Sequence, residues 1–86
     1  MFTVRWTRRA KRDLADIWLQ SSDRLAVTQA SNTVDLLLSR SPLQLGESRE
    51  GNRRILIEPP LAVFYEVILD DYKVKVRFLR DMKRTL

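Results

Sequence analysis

The chain contains no cysteine and no histidine. Without cysteine, neither a disulfide nor a thiolate metal site can stabilise the fold. Without histidine, the commonest general base and metal ligand is missing from any mechanism. No segment approaches the ~18 consecutive apolar residues of a membrane-spanning helix, and residues 1–6 lack the apolar core of a signal peptide. We therefore expect a cytosolic protein that acts without a membrane, a metal or a cofactor.

Acidic residues are outnumbered as well. The chain has 16 Lys and Arg against 11 Asp and Glu, which gives a net charge of +5 and a pI near 10.2. The excess is uneven, because residues 1–22 and 49–86 are basic whereas residues 23–48 are close to neutral. The 86 residues, 44% of them hydrophobic, predict one folded domain over residues 1–86 with a thin core. Phosphate backbones or an acidic protein are the partners that this charge favours.

Two helices are predicted in the first half of the chain. Residues 2–6 alternate and are rich in β-formers, so they indicate a short strand, and Thr7 can cap the helix after it. The apolar stripe of that helix is Ala10, Leu14, Ile17 and Trp18. Asp23 is a second capping candidate, and Pro42 ends the helix that it opens. The second stripe is Ala26, Ala30, Val34, Leu37 and Leu38. The short break between the stripes predicts an antiparallel helical hairpin.

Three β-type runs follow a polar loop at residues 42–52. They are Arg53–Glu58, residues 61–69 and residues 72–80, with breaks at Pro59-Pro60 and Asp70-Asp71. Connections this short join antiparallel neighbours, and the first strand is expected to pair at an edge or in the middle of their sheet. We predict an α+β fold with the order β-α-α-β-β-β, in which the helical hairpin packs on one face of a small antiparallel sheet.

Alternation assigns faces to the strands. Residues 61–69 are mostly apolar on both sides, which is typical of a central strand. In the last strand one side is expected to carry Val74, Val76, Phe78 and Arg80. The other side is expected to carry Lys73, Lys75, Arg77 and Leu79. The final strand therefore has a basic side that faces solvent or a ligand, and Arg77 and Arg80 are expected on opposite faces.

In the order and spacing of these elements, the chain resembles the RelE/ParE superfamily of bacterial toxins from type II toxin–antitoxin systems. The resemblance spans nearly the whole chain. Its motifs are Ala10, Asp13, Leu14, Ile17 and Trp18 in the first helix, Pro42 and Gly46 after the second, residues 51–54, and residues 61–67 followed by Asp70-Asp71.

The resemblance implies one of two activities. Members similar to RelE cleave mRNA in the ribosomal A site without a metal, and members similar to ParE inhibit DNA gyrase. Both kinds are held inactive by a cognate antitoxin whose extended segment wraps the toxin. The expected partners are therefore an antitoxin and either the ribosome with its mRNA or gyrase. A member that has lost its toxicity is a third possibility.

Carried over residue by residue, the resemblance implies a cationic catalytic set of Arg53, Arg54, Arg80 and Lys83. It implies further RNA-binding cations, namely Arg8, Arg9, Arg12, Arg77 and Arg84. The chain departs from the ribonucleases at Ala62, where they carry Arg, and neither His nor Tyr follows Arg80. Arg and Lys suit charge stabilisation better than proton removal. Tyr65 and Glu66 are therefore the nearby alternatives for the proton transfer.

Each assignment competes with a structural interpretation. Tyr65 lies among apolar residues and is expected in the core with its hydroxyl bonded. Glu66 is expected to pair with a cross-strand Lys or Arg. Trp18 is expected in the core at the contact between helix and sheet, and the basic residues of the first helix are also consistent with a solvated face. The choice between ribonuclease and gyrase inhibitor stays open at this level, and RNA cleavage is the working prediction.

Overall fold

The structure is a computed structural model that describes residues 1–83, and its elements follow the predicted order. They are β1 (Thr3–Trp6), α1 (Arg8–Gln20), α2 (Arg24–Arg40), β2 (Glu47–Ser48), β3 (Arg53–Glu58), β4 (Leu61–Ile68) and β5 (Lys73–Asp81). A 3-10 turn at Leu69–Asp71 joins β4 to β5, where the sequence predicted a tight turn. One element was not predicted: β2, a strand of two residues, lies inside the segment that was expected to be a loop.

The five strands of the described residues form one sheet in the order β1-β5-β4-β3-β2. Neighbours from β2 to β5 are antiparallel, as predicted. β1 lies at the edge and pairs with β5 in parallel, so the prediction of an entirely antiparallel sheet is wrong. A parallel pair needs a long crossover. The helical hairpin and the β2–β4 meander together provide it.

The helical hairpin packs on one face of this sheet. Both predicted caps form: the side chain of Thr7 accepts from the backbone N–H of Ala10, and that of Asp23 from Ala26, each at 3.1 Å. The helices contribute Ala10, Ile17, Val27, Ala30, Val34 and Leu38 to the core. The strands contribute Leu56, Leu61, Val63, Tyr65, Val67, Val74, Val76 and Leu79. The α+β class and the single helical layer are therefore confirmed.

Trp18 is not part of this core, and the prediction that placed it there is wrong. The residue is 38% exposed, and the guanidinium of Arg24 lies over its ring at 4.5 Å from the centroid. Ile17 occupies the buried position instead. The two are adjacent in the sequence, and successive side chains of a helix point about 100° apart, so only one of them can face the sheet fully.

A β-bulge reverses the faces of β5 halfway along the strand. Tyr65 of β4 pairs with Val76, whereas the preceding Phe64 pairs with Phe78, so Arg77 is the extra residue. One extra residue shifts every later side chain to the other face. Phe78 and Arg80 therefore lie opposite the side of Val76, and the prediction that all three share a side is wrong.

Helix α1 covers the part of β5 that β1 does not reach. β1 pairs with β5 only as far as Val76. Beyond it, the hydroxyl of Thr7 donates to the carbonyl of Arg77 at 2.9 Å, and the carboxylate of Asp13 accepts from the N–H of Leu79 at 3.0 Å. These side chains satisfy backbone groups that would otherwise lack partners at a strand edge. They also fix the first turn of α1 beside the sheet.

Candidate nucleic-acid interface

The sheet face opposite the helices carries four of the nine cations that the sequence singled out, Arg9, Arg53, Arg77 and Arg80. Its side chains form three rows across the strands, which we call the basic face. The first row is Arg5, Lys75, Glu66 and Arg53; the second is Phe78, Phe64 and Ile55; the third is Arg80, Ala62 and Ile57. Arg5, Arg53, Lys75 and Arg80 are exposed. The bulge is what brings Phe78 and Arg80 to this face.

A stacked aromatic pair lies at the centre of the basic face. The rings of Phe64 and Phe78 are 4.3 Å apart between centroids and inclined by 13°. The guanidinium of Arg9 lies 4.4 Å from the Phe78 centroid, and those of Arg77 and Arg80 lie 5.8 Å from it. Arg9 reaches the sheet because α1 is fixed along the edge of β5. Three cations thus surround one apolar platform.

These cations are not neutralised by ion pairs. Among residues 1–83 the ion pair within 4.0 Å joins Arg49 to Glu47 at 3.3 Å, at the exposed end of the sheet. Glu66 is the carboxylate of the three rows, and its direct cross-strand neighbours are Arg53 and Lys75. The predicted ion pair of Glu66 is nevertheless not formed in the described residues. Among the described residues, the three rows therefore present a positive electrostatic field that contains one carboxylate without an ion-pair partner.

Arg53 and Arg54 are adjacent in the sequence but lie on opposite faces of β3. Arg53 is exposed and lines a cleft of about 340 Å³ on the basic face, together with Arg49, Arg77 and Phe64. Arg54 starts from the helical side, opposite Tyr65, and its side chain also borders this cleft, as does the carboxylate-bearing Glu50. The Nε of Arg54 donates to the carbonyl of Leu45 at 3.0 Å, so that its guanidinium holds the loop before β2.

Tyr65 takes part in the same structural contact. The residue is completely buried, and its hydroxyl lies 2.8 Å from the carbonyl of Pro42 and 2.9 Å from that of Leu45. Burial raises the pKa of the Tyr65 hydroxyl above its ordinary value, and the nearby Arg54 guanidinium partly offsets this rise. The prediction that Tyr65 is a core residue with a bonded hydroxyl is confirmed. It follows that Tyr65 is not accessible from the basic face.

The remaining predicted residues are spread more widely. Arg8 lies beside Arg5 in a second cleft, and Arg12 is exposed on α1. Lys83 lines a cleft on the helical side with Ile17 and Pro60, at the end of the sheet remote from Arg53. Arg84 lies outside the described residues. The structure thus brings Arg9, Arg53, Arg77 and Arg80 to one face, so the expectation that Arg77 and Arg80 lie on opposite faces is wrong. Lys83 and the base of Arg54 lie on the helical side.

Three cations on this side of the sheet were not among the predicted site residues. Arg5 and Lys75 belong to the first row, and Lys73 lies in the next row along the strands, beside Ile68. Alternation in the last strand already indicated a basic side that contains the two lysines. Arg5 could not be placed, because its position depends on the parallel pairing of β1 with β5. No helix in the described part of the chain combines the length and apolar character needed to cross a membrane.

No protein-family model matches the sequence, and no curated protein matches it significantly. Solved structures do match. A chain of the toxin–antitoxin complex RelBE2 from Mycobacterium tuberculosis aligns with a TM-score of 0.74 and 23% identity, over 93% of this chain and 90% of that one. The chromosomal ParDE toxin–antitoxin system from P. aeruginosa gives 0.69 and 20%, over 94% and 96%.

The isolated E. coli RelE toxin aligns over the full length of both chains, with a TM-score of 0.67 and 14% identity. At these identities the likeness concerns the fold. The chain has the fold of the RelE and ParE toxins, and the resemblance noted in the sequence is confirmed at that level.

Proposed function

We propose that the protein is the toxin of a type II toxin–antitoxin pair and that its basic face cleaves ribosome-bound mRNA. The observation that carries this proposal is the gathering of Arg9, Arg77 and Arg80 around the Phe64–Phe78 pair on an uncovered sheet face. Cations beside half-buried aromatic rings on an open sheet face suit a single strand, whose phosphates and bases alternate. Further support comes from the fold shared with RelE.

The cleavage that fits these groups is an in-line transfer within the RNA. The 2′-oxygen attacks the adjacent phosphorus, and the bond from phosphorus to the 5′-oxygen breaks. The products are a 2′,3′-cyclic phosphate and a 5′-hydroxyl. Arg53, Arg77 and Arg80 stabilise the additional negative charge of the pentavalent phosphorane.

Two protons must move in this reaction, and neighbouring residues on the basic face can move them. The Glu66 carboxylate accepts the proton of the 2′-hydroxyl, since it has no ion-pair partner among the described residues. The ammonium of Lys75, its direct cross-strand neighbour, donates a proton to the leaving 5′-oxygen. Arg54 and Lys83 are omitted from the proposed catalytic set, because the first is bonded to loop carbonyls and the second lines a cleft on the helical side.

Glu66→Gln tests this proposal directly, because it removes the proton acceptor and keeps the shape of the side chain. We expect cleavage to slow by about 10²–10⁴ in primer extension on ribosome-bound mRNA. The matched control is Gln in place of exposed Lys11 on α1, which should cleave at the parent rate. Thermal unfolding shows whether both variants are folded. A folded Glu66→Gln protein with parent activity would refute the role of Glu66.

A second candidate function is the inhibition of DNA gyrase without catalysis. The observation that favours it is the commitment of Arg54 and Tyr65 to the loop before β2, which leaves few groups for proton transfer. A supercoiling assay beside the cleavage assay separates the two functions. Equal inhibition of gyrase by the parent and Glu66→Gln proteins, with no mRNA cleavage by either, would establish the second function and exclude the first.

A cognate antitoxin is the proposed regulator of the basic face. The RelBE2 and ParDE neighbours belong to toxin–antitoxin systems, and a net charge of +5 favours an acidic partner. β2 pairs with Arg54 and Ile55, and Arg53 is bonded to Arg49 and Glu50. Among the described residues, the remainder of β3, residues 56–58, therefore offers an open edge to an added strand. Affinity purification of the tagged protein from its native host should recover a small acidic protein in equal amount. Recovery of the tagged protein alone would contradict this proposal.

A further inference from the structure

A second basic cleft lies on the other side of the same sheet face, between β1, β5 and the start of α1. Its volume is about 450 Å³. Four cationic residues line it, Arg5, Arg8, Lys73 and Lys75, together with the single carboxylate of Asp71. The lining therefore has an excess of three positive charges, four cations less one carboxylate.

The parallel pairing of β1 with β5 builds this cleft. Arg5 is in register with Lys75, and Lys73 is in register with Thr3, so cations from two strands stand side by side. Arg8 adds a third element, because α1 begins immediately after β1. None of these residues takes part in an ion pair within 4.0 Å in the described chain. Like charges held together without counterions favour a polyanion.

We propose that this cleft is a second phosphate-binding site for single-stranded RNA, separate from the cleft at Arg53. The inference rests on the proposed action on RNA and deepens it. β1 and β3 are three strand spacings apart, about 14 Å, a distance that a few nucleotides of extended strand span. Phe64 and Phe78 lie on the two strands between the clefts. The RNA therefore crosses the sheet, with phosphates at both sides and bases near the rings.

RNA accounts for this arrangement better than an acidic peptide. Two basic clefts flank one aromatic platform on the same face, and a single strand repeats phosphate and base in the same alternation. An acidic peptide needs the cations but not the rings. Phosphate contacts can also be measured, because each one releases counterions and makes the affinity depend more steeply on salt concentration. The number of contacts in the cleft can therefore be counted.

The test uses Arg5→Gln/Lys73→Gln in the full-length protein, with a labelled oligouridylate as the probe and titrations at several NaCl concentrations. Two lost contacts lower the slope of log affinity against log salt by about 1.4, at about 0.7 for each phosphate of a single strand. With affinities that converge at 1 M salt, this slope corresponds to about 25-fold weaker binding at 0.1 M. The matched control is Lys11→Gln/Arg40→Gln, which removes the same charges from the helical side.

The charge-conserving pair Arg5→Lys/Lys73→Arg separates lost contacts from misfolding, and it should keep the parent slope. A parent slope in Arg5→Gln/Lys73→Gln overturns the cleft proposal while RNA binding by the parent stands. Equal losses of RNA affinity in the test and control variants also overturn the proposal, because they show only an effect of the protein's net charge. If the parent protein does not bind the oligouridylate at all, the proposed action on RNA is contradicted, and the cleft proposal that rests on it is overturned as well. If the cleft binds the oligouridylate but the protein does not cleave mRNA, the result supports the cleft proposal and contradicts the proposed cleavage.

Discussion

Arg80→Ala should remove most of the proposed cleavage, and Ala62→Arg in the same chain should restore part of it. Arg80 and Ala62 are direct cross-strand partners on the basic face, so their Cβ atoms lie about 5 Å apart. The guanidinium of Arg80 lies 5.7 Å from the centroid of the Phe64 ring. A flexible Arg side chain that starts at position 62 can reach the same area. The double variant therefore moves the cation by one strand without removing it.

The expected magnitudes follow from the role of the guanidinium. A cation that stabilises the phosphorane lowers the barrier by about 2.7–4 kcal/mol, which is roughly 10²–10³ in rate. Its loss should affect stability little, since an exposed cation–π contact is worth about 0.5–1 kcal/mol. Ala62→Arg alone should not raise activity. It places two guanidinium groups directly opposite each other, at a position only 8% exposed, and like charges so placed are destabilising.

Primer extension on ribosome-bound mRNA measures the parent, the two single variants and the double variant, with thermal unfolding of each. The double variant should be at least about tenfold faster than Arg80→Ala, because its barrier should be lower by about 1.4 kcal/mol. A folded Arg80→Ala protein that retains parent activity would show that Arg80 does not act on the phosphorane. A folded double variant no faster than Arg80→Ala would show that the register of β4 and β5 does not make the two positions interchangeable.

Three further changes test the scaffold beneath the basic face. Tyr65→Phe should lower the free energy of unfolding by about 1–3 kcal/mol in a urea titration, because the buried loop carbonyls lose a donor; an unchanged midpoint contradicts the contact. Because burial raises the pKa of Tyr65, the unfolded chain ionises first as the pH rises past about 10. The parent should therefore lose stability above that pH, and Tyr65→Phe should lack this component of the loss. Asp13→Ala leaves the N–H of Leu79 unpaired where that residue is 4% exposed, so thermal unfolding should report a loss of about 1–3 kcal/mol, and parent stability would refute the contact. Gly46→Ala should destabilise more than Gly51→Ala, because both have positive φ but only the Cβ at 46 meets a backbone carbonyl of β3; equal melting temperatures would contradict that close approach.

The helices could be predicted because their signals are local. Thr7 and Asp23 each precede an apolar stripe at helical spacing, and each accepts the backbone bond expected of a cap. The three later strands were equally accessible, since alternation and the breaks at Pro59 and Asp70 lie within a few residues of them. In all these cases the deciding contacts join residues that are close in the sequence.

The basic face could not be predicted in full, because it depends on contacts between distant residues. The pairing of Arg5 with Lys75 spans nearly the whole described chain, and no local pattern distinguishes parallel from antiparallel pairing there. The bulge at Arg77 arises from the register of β4 against β5. The run in β5 reads as uninterrupted alternation, so Phe78 and Arg80 were assigned to the wrong side. An error of one residue in the register of β5 was enough to assign both side chains to the wrong face of the sheet.

The pair Arg53 and Arg54 shows why the site must be built from strand geometry and not from sequence proximity. In a strand, successive side chains point to opposite faces. Arg53 faces the cleft with Arg77, while Arg54 holds the carbonyl of Leu45 beneath the sheet. Arg54 also borders that cleft, so its replacement would change the lining of the cleft as well as the loop that it holds. Loss of activity on replacing both residues would therefore combine a lost phosphate contact with a displaced loop. Only the single replacements separate the two causes.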